Sequence, residues 1–392
     1  MTAWTRRAAV VALGAGLGAM LCACSATESP VRPTPSITSR HSAGPGLPWP
    51  ALPTAAMAPV RADRLQQELG RWVSTGLIPG VTAAVVSPLG TWNGAAGVDG
   101  RGVPLRPNTG MALASITKTF VAAEVMALAE QGRVDLDRAA SSYLPVRWVS
   151  NGVTVRQLLE QRSGLHDVEW DPDLLTRPDV SWTPEQFLAP VATPTARPDQ
   201  EWSYENANYL LAGMLVERVA GVDASTALQR DLWAPLGLTR LAYQDEQSLP
   251  APLAAPGEDD FLPSKAAPGY VPFRSLASAA AGAGGMAGDA ATVARWGYAL
   301  YGALRLRPES VEQMTDFSDG DGYGLGTFDF SADYWQNFGL DGVGHVGEIP
   351  GFRSVLVVYP ERQLSIAILT PSTVQAHPLV RQLITAGSLL AD

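Results

Sequence analysis

The stretch Ser115-Ile116-Thr117-Lys118 begins a segment that continues to Gln131 and is apolar on most sides of a helix. This pattern predicts a buried helix. Because positions three residues apart share a helix face, the Ser115 hydroxyl and the Lys118 amine can meet. A serine hydroxyl needs an adjacent base to attack a carbonyl, and a lysine serves as one when its surroundings lower its pKa. The tetrad therefore indicates a nucleophilic serine, although a simple helix cap at Ser115 fits the same residues.

A second polar element is Tyr204-Glu205-Asn206, which lies just before a segment of helical pattern over 206–220. A tyrosine and an asparagine two residues apart in such a loop can face one cleft. Tyr204 can then relay the proton taken from Ser115, and Asn206 can donate to a substrate carbonyl. The alternative is an ordinary turn with a packed aromatic side chain.

The third element is His345-Val346-Gly347, followed by Glu348. A glycine lets a substrate backbone approach a strand closely. The N–H of Glu348 can then act as a second oxyanion donor, beside the N–H at the start of the Ser115 helix. A glycine-rich bend with a chance histidine is the alternative interpretation.

The order of predicted elements indicates an α+β fold with two lobes. Strand patterns occur near both ends, over 81–87, 91–98, 354–359 and 364–369, and the last two form a hairpin. Helical patterns lie before and between them and close the chain, over 62–75, 116–131, 153–161, 206–220, 223–234, 289–304 and 376–390. One sheet built from both termini, with a helical insertion, accounts for this order.

Together the three polar elements resemble those of the serine penicillin-recognising hydrolases, namely class C β-lactamases, D-alanyl-D-alanine carboxypeptidases and related esterases. The resemblance covers about residues 60–390. Further segments that carry it are Gly132–Asp137, Tyr143–Pro145, Leu158–Leu159 with Ser163–Leu165, Leu236–Thr239, Gly284–Met286 and Gly322–Gly326.

The resemblance implies a β-lactamase-like (transpeptidase-like) fold, with an antiparallel sheet formed by both termini and a helical lobe. It implies that Ser115 is the nucleophile, Lys118 its base or base partner, and Tyr204 the proton shuttle. No metal and no organic cofactor is implied. The expected partner is a small-molecule or peptidoglycan-related substrate.

The resemblance also implies a substrate-binding set. Asn206 would orient the substrate amide, and His345 would occupy the place where many relatives have a lysine. Gly347 would allow close approach, and the N–H groups of Ser115 and Glu348 would form the oxyanion hole.

Two positions depart from the family pattern. Val346 stands where many relatives have a hydroxyl residue that helps to hold a substrate carboxylate, which favours an ester or an unusual amide over a β-lactam or peptide. Gln161 replaces a frequent histidine, and we expect a structural role for it.

The N-terminus has the form of an export signal, with Arg6 and Arg7 before an apolar run from Ala8 to Ala23. It ends in Leu21-Cys22-Ala23-Cys24, which resembles a bacterial lipobox; a plain signal peptide with incidental cysteines is the alternative. We therefore predict a lipoprotein signal peptide over 1–23, a lipidated Cys24 with a proline-rich linker over 24–59, and one hydrolase domain over 60–392. The protein would be exported and anchored by lipid to the outer face of the cell membrane.

Composition excludes several classes. The net charge is −10 and no basic stripe exists, so nucleic-acid binding has no electrostatic basis. The two cysteines fall at 22 and 24, which leaves none for a disulfide or a thiolate metal site in the folded part. The four histidines lack zinc-site spacing, and we place His377 at the surface.

Arg353 fits either a surface role on its strand or the binding of an acidic substrate group. We expect a monomer.

The sequence thus predicts a cell-envelope serine hydrolase that forms an acyl-enzyme with a short acyl ester, a D-amino acid peptide or a β-lactam. The alternative is an inactive β-lactamase-like lipoprotein that binds or senses a cell-envelope ligand. Ser115, Lys118 and Tyr204 are all retained, which favours the enzyme.

Overall fold

Strands from both ends of the chain form one antiparallel sheet, as predicted. The computed structural model describes residues 48–390 except 170, 192, 195, 246, 333, 334 and 336–339. Its strands are β1 (Gly80–Ser87), β2 (Gly90–Gly97), β3 (Met111–Ala112), β4 (Leu241–Tyr243), β5 (Met286–Gly288), β6 (Phe328–Asp329), β7 (Val343–Ile349), β8 (Phe352–Tyr359) and β9 (Leu364–Thr370). Within the described residues the main sheet has the order β2-β1-β9-β8-β7-β6, and β3, β5 and β4 form a small second sheet.

Most helices lie between the two groups of strands in the sequence and build the second lobe. In chain order the α-helices are α1 (Pro59–Ser74), α2 (Thr117–Glu130), α3 (Val155–Leu159), α4 (Asp173–Thr176), α5 (Pro184–Leu188), α6 (Asn206–Ala220), α7 (Ala224–Leu228), α8 (Arg274–Gly284), α9 (Ala290–Tyr301), α10 (Pro308–Met314) and α11 (His377–Gly387). Ser115 lies in a 3₁₀ turn, Ala114–Ile116, that leads directly into α2. The predicted helix over 223–234 is α7 followed by one π-helical turn, Gln229–Trp233.

Local sequence explains where several helices begin and end. Pro59 occupies the first turn of α1, where its fixed φ is favourable and its missing N–H is not needed. Thr154 and Gln157 form a capping box at the start of α3. Gly221 ends α6 in the left-handed conformation, with φ 74°, which glycine adopts without a steric penalty.

The main sheet separates two apolar cores. Helices α1 and α11 pack together on one face, where their side chains meet Val81, Val85 and Ile368 of the sheet. The other face packs against α9 and the helical lobe, which contains α2. Every residue of α2 from Thr117 to Leu128 is buried, so the predicted buried helix is confirmed and Lys118 lies inside the protein.

The folded region begins before the predicted boundary at residue 60. Residues 48–58 pack along the domain: the Trp49 ring lies edge-on against Tyr298, with centroids 4.9 Å apart, and the Trp49 N–H donates to the Gly302 carbonyl at 2.8 Å. Met57 is buried and its N–H donates to Thr91. Proline-rich composition suggested a linker, but these apolar side chains find partners on α9 and β2.

Over the part of the chain that the structure describes, no helix combines the length and apolar character needed to cross a membrane. The signal peptide, Cys24, His41 and the linker up to residue 47 lie outside the described residues.

Candidate active site

Ser115 and Lys118 meet as their spacing predicted. The Lys118 Nζ lies 3.0 Å from the Ser115 Oγ. Ser115 is partly exposed, whereas Lys118 is completely buried beneath it. The residue before the serine, Ala114, has a φ of 47°, in a region that favours glycine. The chain therefore turns sharply at this point and presents the serine at the start of α2.

Lys118 is held by three acceptors. Besides Ser115, its Nζ lies 2.9 Å from Asn206 Oδ1 and 2.7 Å from the Ala283 carbonyl. The Ala283 carbonyl belongs to the last turn of α8, where helical carbonyls lack intrahelical partners. Burial lowers the pKa of Lys118 to about 7, against a smaller opposing effect of the Asp167 carboxylate. A substantial fraction of this lysine is then neutral near pH 7 and can accept a proton from Ser115.

Tyr204 lies beside the same amine, with its ring centroid 4.8 Å from Lys118 Nζ. Burial raises the pKa of Tyr204 well above its ordinary value, while contact with the Ser115 hydroxyl lowers it to a smaller extent. The phenol therefore stays protonated at neutral pH. In this arrangement Lys118 is the better base in the free enzyme, and Tyr204 is suited to passing a proton onward.

Asn206 is fixed in orientation by a residue that sequence reasoning missed. Its backbone N–H and side-chain Nδ2 donate to the two carboxylate oxygens of Asp167, at 2.7 and 3.2 Å. The opposite end of the amide, Oδ1, faces Lys118. Asp167 thus holds the start of α6 and the lysine's acceptor together. The sequence feature that could have identified Asp167 is its position two residues after Ser163-Gly164-Leu165, a segment that carries the family resemblance.

Gly347 brings strand β7 against the backbone before Ser115. A Cβ at this position would come within 2.1 Å of Ser354 Oγ and 2.3 Å of the Leu113 carbonyl, so only glycine fits. The Ser354 hydroxyl itself donates to the Leu113 carbonyl at 2.8 Å. The structure therefore places the chain segments of the two predicted oxyanion donors, Ser115 and Glu348, side by side.

Arg353 has neither of the roles considered for it, because it is buried and bound within the protein. Its Nη2 donates to Glu348 Oε1 at 2.7 Å, and its Nη1 donates to the Ile349 and Phe352 carbonyls at 3.1 and 2.9 Å. The Glu348 side chain is 43% exposed and also accepts from Gln375. Arg353 supports the end of β7 and is not presented to an acidic ligand.

His345, which the sequence analysis placed in the substrate-binding set, is completely buried. Its Nδ1 lies 2.6 Å from the Val346 carbonyl, and its Nε2 lies 3.2 Å from the Tyr323 hydroxyl. Burial, with a smaller contribution from Lys118, lowers the pKa of His345 to about 3. The ring is therefore neutral where many relatives would carry a lysine.

Gln161 clamps the loop that carries Tyr204, in agreement with a structural role. Its side-chain Oε1 accepts from the Glu205 N–H at 3.0 Å and from Asn208 Nδ2 at 2.6 Å. Its backbone carbonyl accepts from the Ser203 N–H at 3.0 Å. These three bonds flank Tyr204 on both sides and set the course of its backbone.

The remaining histidines lie elsewhere. His166 is exposed, while His377 is buried beside Trp335, with ring centroids 5.4 Å apart, so the prediction of a surface position for His377 is wrong. It begins α11, whose apolar side packs onto the sheet and covers it. Within the described ranges, no group of three or more His, Cys, Asp or Glu side chains is arranged to hold a metal ion.

An antiparallel sheet with a strand, here β7, packed against the start of a buried Ser-x-x-Lys helix is the architecture of the β-lactamase-like serine hydrolases, and this fold and site place the protein in that class. The sequence profile described as Beta-lactamase matches residues 62–386, so the chain belongs to the β-lactamase family.

Individual relatives have different reactions. The chain is 24% identical over 343 residues to the unguisins hydrolase ungD' of Aspergillus campestris, covering 79% of this chain and 60% of the relative. It is 32% identical over 170 residues to the monacolin J acid methylbutanoyltransferase of Aspergillus terreus, covering 37% of this chain and 40% of the relative. The chain thus spans less than two thirds of these curated relatives. The crystal structure of a D-stereospecific amidohydrolase from Streptomyces sp. is similar at 27% identity and a TM-score of 0.67, covering 83% of this chain and 98% of that one.

Proposed function

We propose that the protein is a cell-envelope serine hydrolase that cleaves esters or amides through an acyl-enzyme on Ser115. The observation that carries this proposal is the buried Lys118 amine, which lies 3.0 Å from the Ser115 hydroxyl and whose pKa burial lowers to about 7. A hydroxyl paired with such a base is the arrangement that nucleophilic catalysis requires.

The hydrogen bonds suggest the order of proton transfers. Neutral Lys118 has two N–H groups, which donate to Asn206 and Ala283, and one lone pair, which accepts the Ser115 proton as Oγ attacks the substrate carbonyl. The N–H groups of Ser115 and Glu348 would stabilise the oxyanion. Tyr204, still protonated, would deliver its proton to the leaving oxygen or nitrogen as the carbonyl bond to it breaks, and the Lys118 ammonium would reprotonate Tyr204. A water would then give one proton to Lys118 as its oxygen attacks the acyl carbon, and Lys118 and Tyr204 would pass this proton to the Ser115 Oγ as the acyl bond breaks.

Within this chemistry we propose a preference for substrates without a carboxylate near the reacting carbonyl. By the family resemblance, three basic side chains lie nearest to the place of such a group, and none of the three offers it a free positive charge: Lys118 is buried among its acceptors, the His345 ring is uncharged, and Arg353 is paired with Glu348. Val346 supplies no hydroxyl. The similarity to a methylbutanoyltransferase and to a D-stereospecific amidohydrolase supports acyl esters and amides as the substrates to test.

The experiment compares kcat/KM on short acyl esters, D-amino acid amides, D-Ala-D-Ala peptides and penicillins. We expect the first two classes to be turned over faster. Val346→Thr should shift the ratio toward the carboxylate-bearing substrates by about 10- to 100-fold, because one hydrogen bond to a charged acceptor contributes roughly 1.5–3 kcal/mol.

Val103→Thr, an exposed position outside the site, is the matched control and should leave the ratio unchanged. Faster cleavage of penicillins by the wild type, or an unchanged ratio in Val346→Thr, would contradict the preference. Absence of turnover on all four classes would favour the inactive, ligand-binding alternative.

We also propose that Cys24 is lipidated and anchors the protein to the outer face of the cell membrane. The charged, apolar and small-residue order of residues 6–24 supports this. In a bacterium with lipoprotein processing, the wild type should fractionate with membranes, and Cys24→Ser should release the protein or stall its maturation. Cys22→Ser, two residues away, is the control and should remain in the membrane fraction. A mature wild-type chain that is wholly soluble with unmodified Cys24 would overturn the anchor.

A further inference from the structure

His345 and Tyr323 form a buried pair whose protonation follows from the hydrogen bonds. The Val346 carbonyl only accepts, so the His345 Nδ1 at 2.6 Å from it must carry the proton. A neutral imidazole then has an unprotonated Nε2, which accepts from the Tyr323 hydroxyl at 3.2 Å. Both ring nitrogens are thereby used within the protein. His345 has no N–H left for a substrate.

The two rings are part of the wall that holds Tyr204. Tyr323 meets Tyr204 edge-on, with centroids 5.9 Å apart and planes at 88°. Phe328 stacks on Tyr204 at 5.9 Å and 12°, and it contacts Tyr323 at 4.6 Å and His345 at 4.8 Å. His345, Tyr323 and Phe328 are all buried, so these rings have little freedom to shift. The position of Tyr204 beside Ser115 therefore depends on them.

The loop that carries Tyr323 is itself fixed against the catalytic helix. A Cβ at Gly326 would come within 2.9 Å of the Lys118 carbonyl and 2.8 Å of Ala122 Cβ, which means that this loop lies directly on α2. Gly326 has a φ of 70°, a conformation that glycine alone adopts readily. The loop that carries Tyr323 therefore has little room to move relative to α2, the helix that carries Lys118.

We propose that Tyr323 is a positioning residue: its hydroxyl holds His345 as the neutral Nδ1–H tautomer, and the pair fixes the Tyr204 ring against Ser115 and Lys118. His345 is then part of the support for Tyr204 and does not bind substrate. The kinetic consequence rests on the proposed function, whereas the tautomer does not depend on it.

The test is Tyr323→Phe, which removes one hydroxyl and keeps the ring. In the ¹⁵N-labelled wild type at pH 7, the His345 ring should give the spectrum of a neutral Nδ1–H tautomer, with the signal assigned from its loss in His345→Gln. In Tyr323→Phe the Nε2 resonance should move, because its donor is gone. On the best neutral ester or amide, kcat should fall about 10- to 100-fold with KM within about threefold, since misplacement of Tyr204 affects the chemical step and not substrate binding.

Tyr301→Phe is the matched control, because Tyr301 is another buried tyrosine and its hydroxyl lies 3.1 Å from Thr327 Oγ1 in the same loop. It should leave both the His345 spectrum and kcat unchanged. An Nε2–H or cationic His345 at pH 7, or a Tyr323→Phe variant that raises KM at constant kcat, would overturn the proposal. A wild type without turnover but with the Nδ1–H tautomer and the shifted Tyr323→Phe spectrum would contradict the proposed function and leave the pair supported.

Discussion

Replacing Ser115 with alanine is expected to lower kcat by about 10⁴- to 10⁶-fold, the range found when a hydrolase loses its nucleophile. The substitution removes the hydroxyl that is placed beside Lys118 to attack a carbonyl. Lys118, Tyr204 and the oxyanion donors remain, but no acyl-enzyme can form without the Ser115 hydroxyl. Turnover of the best ester or amide measures the loss. A fluorophosphonate probe should label the wild-type domain and fail to label the variant.

The fold should survive this substitution. Ser115 is partly exposed and is not the capping residue of α2, so loss of its hydroxyl should cost no more than about 1 kcal/mol of stability, which is what loss of a capping side chain costs. A thermal melt within a few degrees of the wild type would show that lost activity is not lost structure. Ser142→Ala, at an exposed serine in another short turn, is the control and should retain full labelling. Mass spectrometry that finds the probe on a serine other than Ser115 would disprove the assignment.

Local spacing and family resemblance were enough to predict from the sequence which residues lie at the centre of the site. Ser115 and Lys118 lie on one turn of chain, so their contact follows from helix geometry. Tyr204 and Asn206 sit at the start of α6, where a loop can aim both at one point. The antiparallel sheet from both termini followed from the order of strand and helix patterns.

What the sequence could not supply depends on contacts between distant segments. Asp167 matters because its carboxylate meets Asn206 39 residues later, and no local pattern encodes that meeting. His345 was interpreted as a substrate contact because its motif position suggested one; Tyr323, 22 residues away, occupies its second nitrogen. Residues 48–58 pack on the domain because Trp49 finds its partner, Tyr298, across the fold. In each instance the local sequence fits more than one arrangement of the side chain, and packing between distant segments determines which arrangement forms.

Lys118 should determine how activity depends on pH. Below its pKa of about 7 the amine is an ammonium, and all three N–H groups donate, to Ser115, Asn206 and Ala283. No lone pair then remains to take the serine proton. As pH rises through about 7 the lysine loses a proton and becomes a base, so kcat/KM on a neutral ester should rise tenfold per unit well below pH 7 and level off above it.

Replacing Lys118 with arginine keeps the charge but removes the ability to deprotonate in this range, since a guanidinium keeps its proton throughout it. We expect kcat/KM at pH 8 to fall by about 10³-fold, and the rise near pH 7 to disappear. Lys265→Arg, at the exposed second lysine of the chain, is the matched control and should keep the wild-type profile. His345→Gln should also keep the midpoint near 7, because His345 stays neutral above a pKa of about 3. A midpoint that moves in His345→Gln but persists in Lys118→Arg would assign the base to a different group and disprove the role of Lys118.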